Sequence, residues 1–548
     1  MQELLDSRIL TIIIFTPTLG ALLLMFVGRN RESLIRSITL AFTLITFVFS
    51  FHIIRYFDNE TGNFQFLESL PWIPSIGINY QIGVDGVSLL LILLTTVLTP
   101  LAVLASSSIK YSVKEYFVFL LLLETGMIGV FAALDLFLFY VFWEVVLIPM
   151  YFVIGIWGGK RRIYAATKFL LYTMAGSVLM LVAILGLYFV QLEQTGLYSF
   201  SYLDILNSLS SGSLELTPTI EFWLFLAFFL AFAIKVPIFP LHTWLPDAHV
   251  EAPTAGSVLL AGILLKMGTY GLIRFSLPFF PSVSQLLAPL ISILAIVGII
   301  YGALVAMVQP DIKKLVAYSS VSHLGFVVLG IFGFTTIGIE GAVYQMLSHG
   351  VSTGALFLLV GILYERRHTH LIADYGGVAH RMPIFSALFL LVVLASIGLP
   401  GLNGFVGEFL ILLGTFGNNP SYAVFAALGV ILSAVYMLWM YQRTIFGKIT
   451  HPDNEKLVDI NLREVVMLLP LTVLIVWMGV YSSSFLRPMD ATIERLVTQM
   501  EARQVKLAIN PKSQPISFWN GSIDIQLPAL EVKDEISHLS DNIGGSAQ

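Results

Sequence analysis

Apolar runs about 20 residues long recur almost end to end along this chain, with short polar turns between them; a helix needs that length to cross about 30 Å of hydrocarbon. About 14 runs can be read, near 8–27, 34–55, 86–107, 115–133, 136–157, 168–191, 222–240, 254–275, 285–307, 314–335, 340–364, 383–414, 421–441 and 464–484. Backbone in lipid satisfies its own polar groups only as a helix or a closed barrel. The runs lack period-two alternation, which excludes the barrel. The pattern predicts an all-α polytopic membrane protein.

Two spans are interrupted in related ways. The seventh reads AIKVPIFPLHTWLPDAH, with Pro237, Pro240 and Pro246, and the twelfth reads SIGLPGLNGFVGEFL, with Gly398, Pro400, Gly401, Gly404 and Gly407. Proline removes an amide and clashes with the preceding turn, so each span is expected to break near mid-membrane. Lys235 and Glu408 flank the breaks and lie 173 residues apart, close to the interval between the starts of spans four and nine. Spans 4–8 and 9–13 thus read as two five-helix repeats. Five is odd, so the repeats are inverted, an arrangement common in transporters with helices broken at the midplane. The expected organisation is helices 1–3 (1–113), a first repeat (114–275), an inverted second repeat (276–441), a last helix (442–486) and a polar tail (487–548).

Charge supports this layout. Lys and Arg concentrate in alternate loops, at Arg29, Arg31 and Arg36; Lys110 and Lys114; Lys160, Arg161 and Arg162; Lys313 and Lys314; Arg366 and Arg367; and Arg443 with Lys448. The segments Tyr56 to Asp85 and Gln191 to Glu221 carry acids only. The positive-inside rule places the basic loops in the cytoplasm and both termini outside. The first span follows an acidic start without a small-residue cleavage site and reads as a retained helix. The tail is expected to begin as an amphipathic helix and to end disordered around Gly544, Gly545 and Ser546.

Composition narrows the function. The chain of 548 residues is 57% hydrophobic and 11% charged, with a mean hydropathy of +0.87. Its net charge of −5 carries no message for a membrane protein, and no basic tract suggests nucleic acid. It has no cysteine. Thiolate zinc sites, disulfides and cysteine-ligated clusters are therefore excluded within this chain.

An ionisable side chain at mid-membrane costs about 2.5–3.5 kcal/mol, which marks it as a functional candidate. Six stand out: Glu144 in FYVFWEVVLIPMYF, Lys235 at the first break, Lys266 in VLLAGILLKMGTYGL, His323 in SSVSHLGF, His349 in QMLSHGVSTGALF, and Glu408 after the second break. Taken singly, a Glu or His reads equally well as a structural ion pair or satisfied core group and as a working site, whereas a central Lys with no charge nearby in sequence favours the working site. Together they occupy six separate spans at similar depth, which suggests a polar axis. Each can take up and release a proton if its surroundings tune it, whereas Arg, which would hold its proton, stands at none of these positions. Haem ligation by the two histidines lacks a second pair or an attachment motif. His242, Asp247 and His249 suggest a metal less well than a loop or a proton-uptake point. Glu124 and Asp135 read as paired or interfacial.

The segments FWEVVLIPMY, IGIWGG, YAATKFLLYT, KVPIFPLHTWLPDAHVEAPTAGSVLLAGILLKMGTYGLIRF and QPDIKKLVAYSSVSHLGF resemble the antiporter-like membrane subunits of respiratory complex I (NADH:quinone oxidoreductase). The resemblance runs from about residue 80 to 450. It is closest to the M type, which carries Glu where the L and N types carry Lys, as at Glu408. It implies a 14-helix fold in a bacterial inner membrane, beside L- and N-type subunits. It also implies a coupled Glu144–Lys235 pair, Lys266, His323 and His349 as relay, and Glu408 as the exit-side site. Flavin and iron–sulfur clusters are expected in partner subunits and no cofactor in this chain. The alternatives are a subunit of a multi-subunit sodium/proton antiporter or of a membrane-bound hydrogenase, or, from another class, a passive scaffold.

Overall fold

The computed structural model describes residues 2–449 and 451–509. Thirteen described helices are long and apolar enough to cross a membrane. The spans are Gln2–Phe26, Glu32–Tyr56, Gly86–Ala105, Val113–Ala132, Leu136–Trp157, Arg162–Thr195, a seventh split into Pro218–Lys235 and Trp244–Glu251, then Thr254–Phe279, Pro281–Met307, Ile312–Ile331 and Thr336–Arg367. A twelfth is split into Pro383–Ser396 and Asn403–Asn418, and Pro420–Ile445 and Leu462–Val480 complete fourteen. The protein is a multi-pass membrane protein with both expected breaks in place.

Local sequence explains the ends. Asp85, Asp135 and Asp311 accept amide hydrogen bonds at the starts of spans three, five and ten, each satisfying donors left orphaned by the first turn. Asp135 also accepts from Asn79 N (3.1 Å) and is fully buried; it is a cap and forms no ion pair among the described residues. At the twelfth-span break, Gly398 (φ +75°) and Gly401 (φ +92°) adopt the left-handed conformation that glycine takes without penalty.

Burial is graded from the centre outwards. The most hydrophobic stretches of spans eight and eleven are completely enclosed by protein, whereas those of spans two, six, thirteen and fourteen are mostly uncovered. Val178, Val182 and Phe189 on span six are exposed on the outside of the bundle. Lys266 and His349 therefore ride on the two most enclosed helices.

Three elements went unread. The segment between spans two and three is an antiparallel hairpin, Gln65–Ile73 paired with Ile78–Val84, and its Glu68 is buried, accepting from Leu10 N (2.9 Å) and Thr11 N (3.2 Å). A short helix, Tyr202–Ser211, lies between spans six and seven. Span eight contains two π-helical turns, Leu260–Leu264 and Leu272–Ser276. The tail begins as the helix Ser483–Ile509; the expected disorder at Gly544, Gly545 and Ser546 lies outside the described residues.

Candidate functional site

Lys235 is the last residue of the first half of span seven. A helix C-terminus favours a cation, and the break places this one in the protein interior at 1% exposure. Its ammonium has no hydrogen-bond partner and lies 5.1 Å from the Trp143 ring centre and 5.8 Å from that of Phe169. Trp143 adjoins Glu144, whose carboxylate is partly buried. No salt bridge within 4 Å joins Glu144 to Lys235 among the described residues. The two are neighbours held apart.

Lys266 and His349 are brought into contact. The Lys266 ammonium donates to His349 Nδ1 at 2.7 Å and to the Ala261 carbonyl, which belongs to the first π-helical turn. Glu408 enters from the second half of span twelve. His323 Nδ1–H donates to Glu408 Oε1 at 2.7 Å, and Gln345 Nε2 donates to the same oxygen at 3.0 Å. Gly407 permits this closeness: a β-carbon there would lie 2.6 Å from Gln345 Oε1. The rings of His323 and His349 stand 5.8 Å apart, centre to centre, and the Nε2 atom of each is buried without a partner.

Four of the six candidates thus form two hydrogen-bonded pairs, Lys266–His349 and His323–Glu408, facing each other across a short gap. Glu144 and Lys235 make no hydrogen bond or salt bridge with each other among the described residues. All but Glu144 are buried. Gln345 was missed; it stands one helical turn before His349 in YQMLSHG, a spacing that marks a shared face. Arg274 and Asp85 were also missed. They form a buried ion pair (2.5 Å), with Arg274 Nε donating to the Tyr270 hydroxyl at 3.2 Å, one turn beyond Lys266 on the same helix.

His242, Asp247 and His249 do not converge. Asp247 pairs with Lys168 at 2.7 Å, His249 stacks on Phe357 at 4.7 Å, and His242 packs against Phe239 and Tyr301. Glu124 corrects the expectation of a paired or interfacial residue: it is fully buried, and neither carboxylate oxygen has a partner.

The profile of the family described as "NADH:quinone oxidoreductase/Mrp antiporter, TM" matches residues 133–435. The chain is similar to "NADH-quinone oxidoreductase subunit M" of Rhodobacter capsulatus, with 47% identity over 90% of this chain and 98% of the relative. It is equally similar to "NADH-ubiquinone oxidoreductase chain 4" of Marchantia polymorpha, with 47% identity over 88% of this chain and 96% of the relative. Among solved structures, a chain of respiratory complex I from Thermus thermophilus superposes with a TM-score of 0.81 and 34% identity, covering 90% of this chain and 99% of that one.

Proposed function

The chain belongs to the family of NADH:quinone oxidoreductase and Mrp antiporter membrane subunits, on its subunit M (chain 4) branch, and we propose that protons cross the membrane arm of that oxidoreductase through its buried stations. The order is Glu144–Lys235, then Lys266, His349, His323 and Glu408. The observation that carries this reading is the pairing of Lys266 with His349 and of His323 with Glu408, since four titratable groups from four helices meet with no structural gain that apolar packing would not supply. When Glu144 stands close, its charge holds the Lys235 ammonium; when it withdraws, the proton passes towards Lys266. His349 Nδ1 already accepts from Lys266, and His323 already donates to Glu408. A proton handed between the two unpartnered Nε2 edges links the pairs. Glu408 then releases it outwards.

Redox chemistry belongs to partner subunits that hold flavin and clusters; this chain supplies proton-carrying side chains. L- and N-type subunits are the expected neighbours, in a bacterial inner membrane with both termini outside. Curated relatives at 47% identity carry oxidoreductase names, which favours this reading over a free-standing sodium/proton antiporter.

Lys235→Arg tests the mechanism. Arginine keeps the charge but cannot release its proton. The relay reading expects the Arg and Ala variants both to assemble and both to fail in NADH-driven proton uptake by membrane vesicles, normalised to assembled complex. Near-normal pumping by Lys235→Arg would remove Lys235 from the path.

A further inference from the structure

The first half of span seven ends on Lys235, and a helix end leaves its last carbonyls without the amides that would follow. Here the Phe232 carbonyl accepts from Val236 N and the Ala233 carbonyl from Ile238 N, both at 2.8 Å, while Pro237 has no amide to give. The Ile234 carbonyl, which Ile238 N would serve in an unbroken helix, accepts instead from a side chain. Trp244 Nε1–H donates to it at 2.9 Å. Trp244 is the first residue of the second half of the span and is fully buried. One indole thus ties the two halves together at the residue that precedes Lys235.

Span six frames this arrangement. A β-carbon at Gly176 would lie 3.0 Å from Ala231 Cα, so span six lies close against the first half. It also grips the start of the second half. Lys168 Nζ donates to the Thr243 carbonyl at 2.8 Å and pairs with Asp247 at 2.7 Å, and the Tyr172 and Thr243 hydroxyls are hydrogen-bonded at 2.9 Å. Phe169, next to Lys168, has its ring centre 5.4 Å from that of Trp244 and 5.8 Å from the Lys235 ammonium. Trp244 therefore touches both the backbone that leads into Lys235 and a ring that the ammonium faces.

We propose that Trp244 is a positioning residue for Lys235, and that its indole N–H keeps the Ile234 carbonyl from becoming a partner of the ammonium. A lysine at a helix C-terminus can hydrogen-bond the last carbonyls of its own helix. A free Ile234 carbonyl would offer Lys235 such a bond and hold the ammonium in its charged form. With that carbonyl occupied, the ammonium makes no hydrogen bond among the described residues and its proton is free to leave towards Lys266. The inference rests on the assignment of Lys235 to the proton path.

The test uses the whole complex in membrane vesicles. Trp244 is replaced by 3-benzothienylalanine, which keeps the ring shape with sulfur in place of the N–H, and by Phe in Trp244→Phe; Lys235→Ala is measured in parallel. Both Trp244 forms are expected to assemble and to lose NADH-driven proton uptake near neutral pH by about tenfold, the weight of one hydrogen bond from an ammonium. The loss relative to wild type should shrink as pH rises, because a proton held more firmly on Lys235 leaves more readily in alkali. Glu144 on span five, Lys168 on span six, His242 in the break, and Lys266 and Arg274 on span eight also bear on such a profile, and the wild-type profile, in which all are the same, corrects for them. Wild-type pumping by either Trp244 form overturns the proposal, as does a loss that is equal at every pH. Failure of the benzothienylalanine form to assemble does so too, since the missing N–H would then be holding the fold. If Lys235→Ala fails while the benzothienylalanine form pumps fully, only the positioning role falls; normal pumping by Lys235→Ala removes the underlying path.

Discussion

Replacing Glu408 by Gln removes one charge and one proton-binding group while keeping the shape of the side chain. Glu408 Oε1 accepts from His323 at 2.7 Å and from Gln345 at 3.0 Å, and the amide oxygen of the variant can still accept both. Hydrogen bonds to a charged acceptor contribute about 1.5–3 kcal/mol against about 0.5–1.5 for a neutral one. Two weakened bonds therefore lose about 2–3 kcal/mol, which is roughly 30- to 150-fold in an equilibrium. Were Glu408 only an electrostatic anchor for His323, pumping would fall by no more than that factor. If it must bind the proton itself, the protons moved per NADH oxidised should drop further, because an amide cannot replace the carboxylate in that step. Glu408→Lys sharpens the contrast. Lysine can carry a proton, and the Gln345 Oε1 atom, buried and without a partner, is placed to accept from its ammonium. Partial pumping is expected from Lys and none through this chain from Gln. The assay is NADH-driven proton uptake together with quinone reduction in vesicles, normalised to assembled complex. A Gln variant that assembles and moves the wild-type number of protons per NADH would refute the reasoning.

Two further outcomes are expected. Asp85→Asn leaves Arg274 buried without its counter-ion (8% and 2% side-chain exposure in the pair); it should cost about 3–5 kcal/mol, seen as a lower melting temperature of the purified complex, and Arg274→Gln in the same chain should recover part of the loss. His370, outside the membrane spans and stacked on Tyr364 at 4.3 Å, is pushed down from 6.5 to about 3 by burial, with nearby Lys313 adding to the effect. Between those pH values the unfolded chain binds the extra proton and the native one does not, so stability is full above pH 6.5 and declines as pH falls towards 3; His370→Phe should flatten that slope in pH-dependent thermal melts, and an unchanged slope would refute the assignment.

The spans and their two breaks were legible because their signals are local. A run of apolar residues and a cluster of Pro or Gly need no knowledge of neighbours. The hairpin Gln65–Ile73/Ile78–Val84 was not legible in the same pass, since a short amphipathic pair between two long apolar runs reads as a connecting loop. The six candidates were legible from depth alone, but their pairing was not. Which histidine meets Lys266 depends on how spans eight and eleven face each other, and two π-helical turns in span eight alter that facing by widening the local helix. Glu124 was misjudged for a related reason: an intramembrane acid invites a partner, and only the folded structure shows that none is there among the described residues.

The division into separate stations bears on how energy is held. A continuous chain of hydrogen bonds from one face to the other would let protons run back down the gradient, so a pump has to keep at least one gap open at every moment. Two gaps are present here. One lies between the His323 and His349 rings, whose Nε2 atoms are both without partners. The other lies around Lys235, whose ammonium makes no hydrogen bond among the described residues and faces the Trp143 and Phe169 rings. A desolvated cation–π contact is worth about 2 kcal/mol, against an insertion cost of about 2.5–3.5 kcal/mol for the charged side chain at mid-membrane. The rings alone nearly balance that cost without clearly exceeding it. On the proposed path, one further charge, arriving or leaving at Glu144, would then decide whether Lys235 keeps its proton. A firm Glu144–Lys235 salt bridge would fix the ammonium in its charged form, and a lysine without aromatic neighbours would lose its proton too readily to store it. If Glu144 and Lys235 gate the path as proposed, the lack of a salt bridge between them among the described residues is the condition under which a movement of one carboxylate can act.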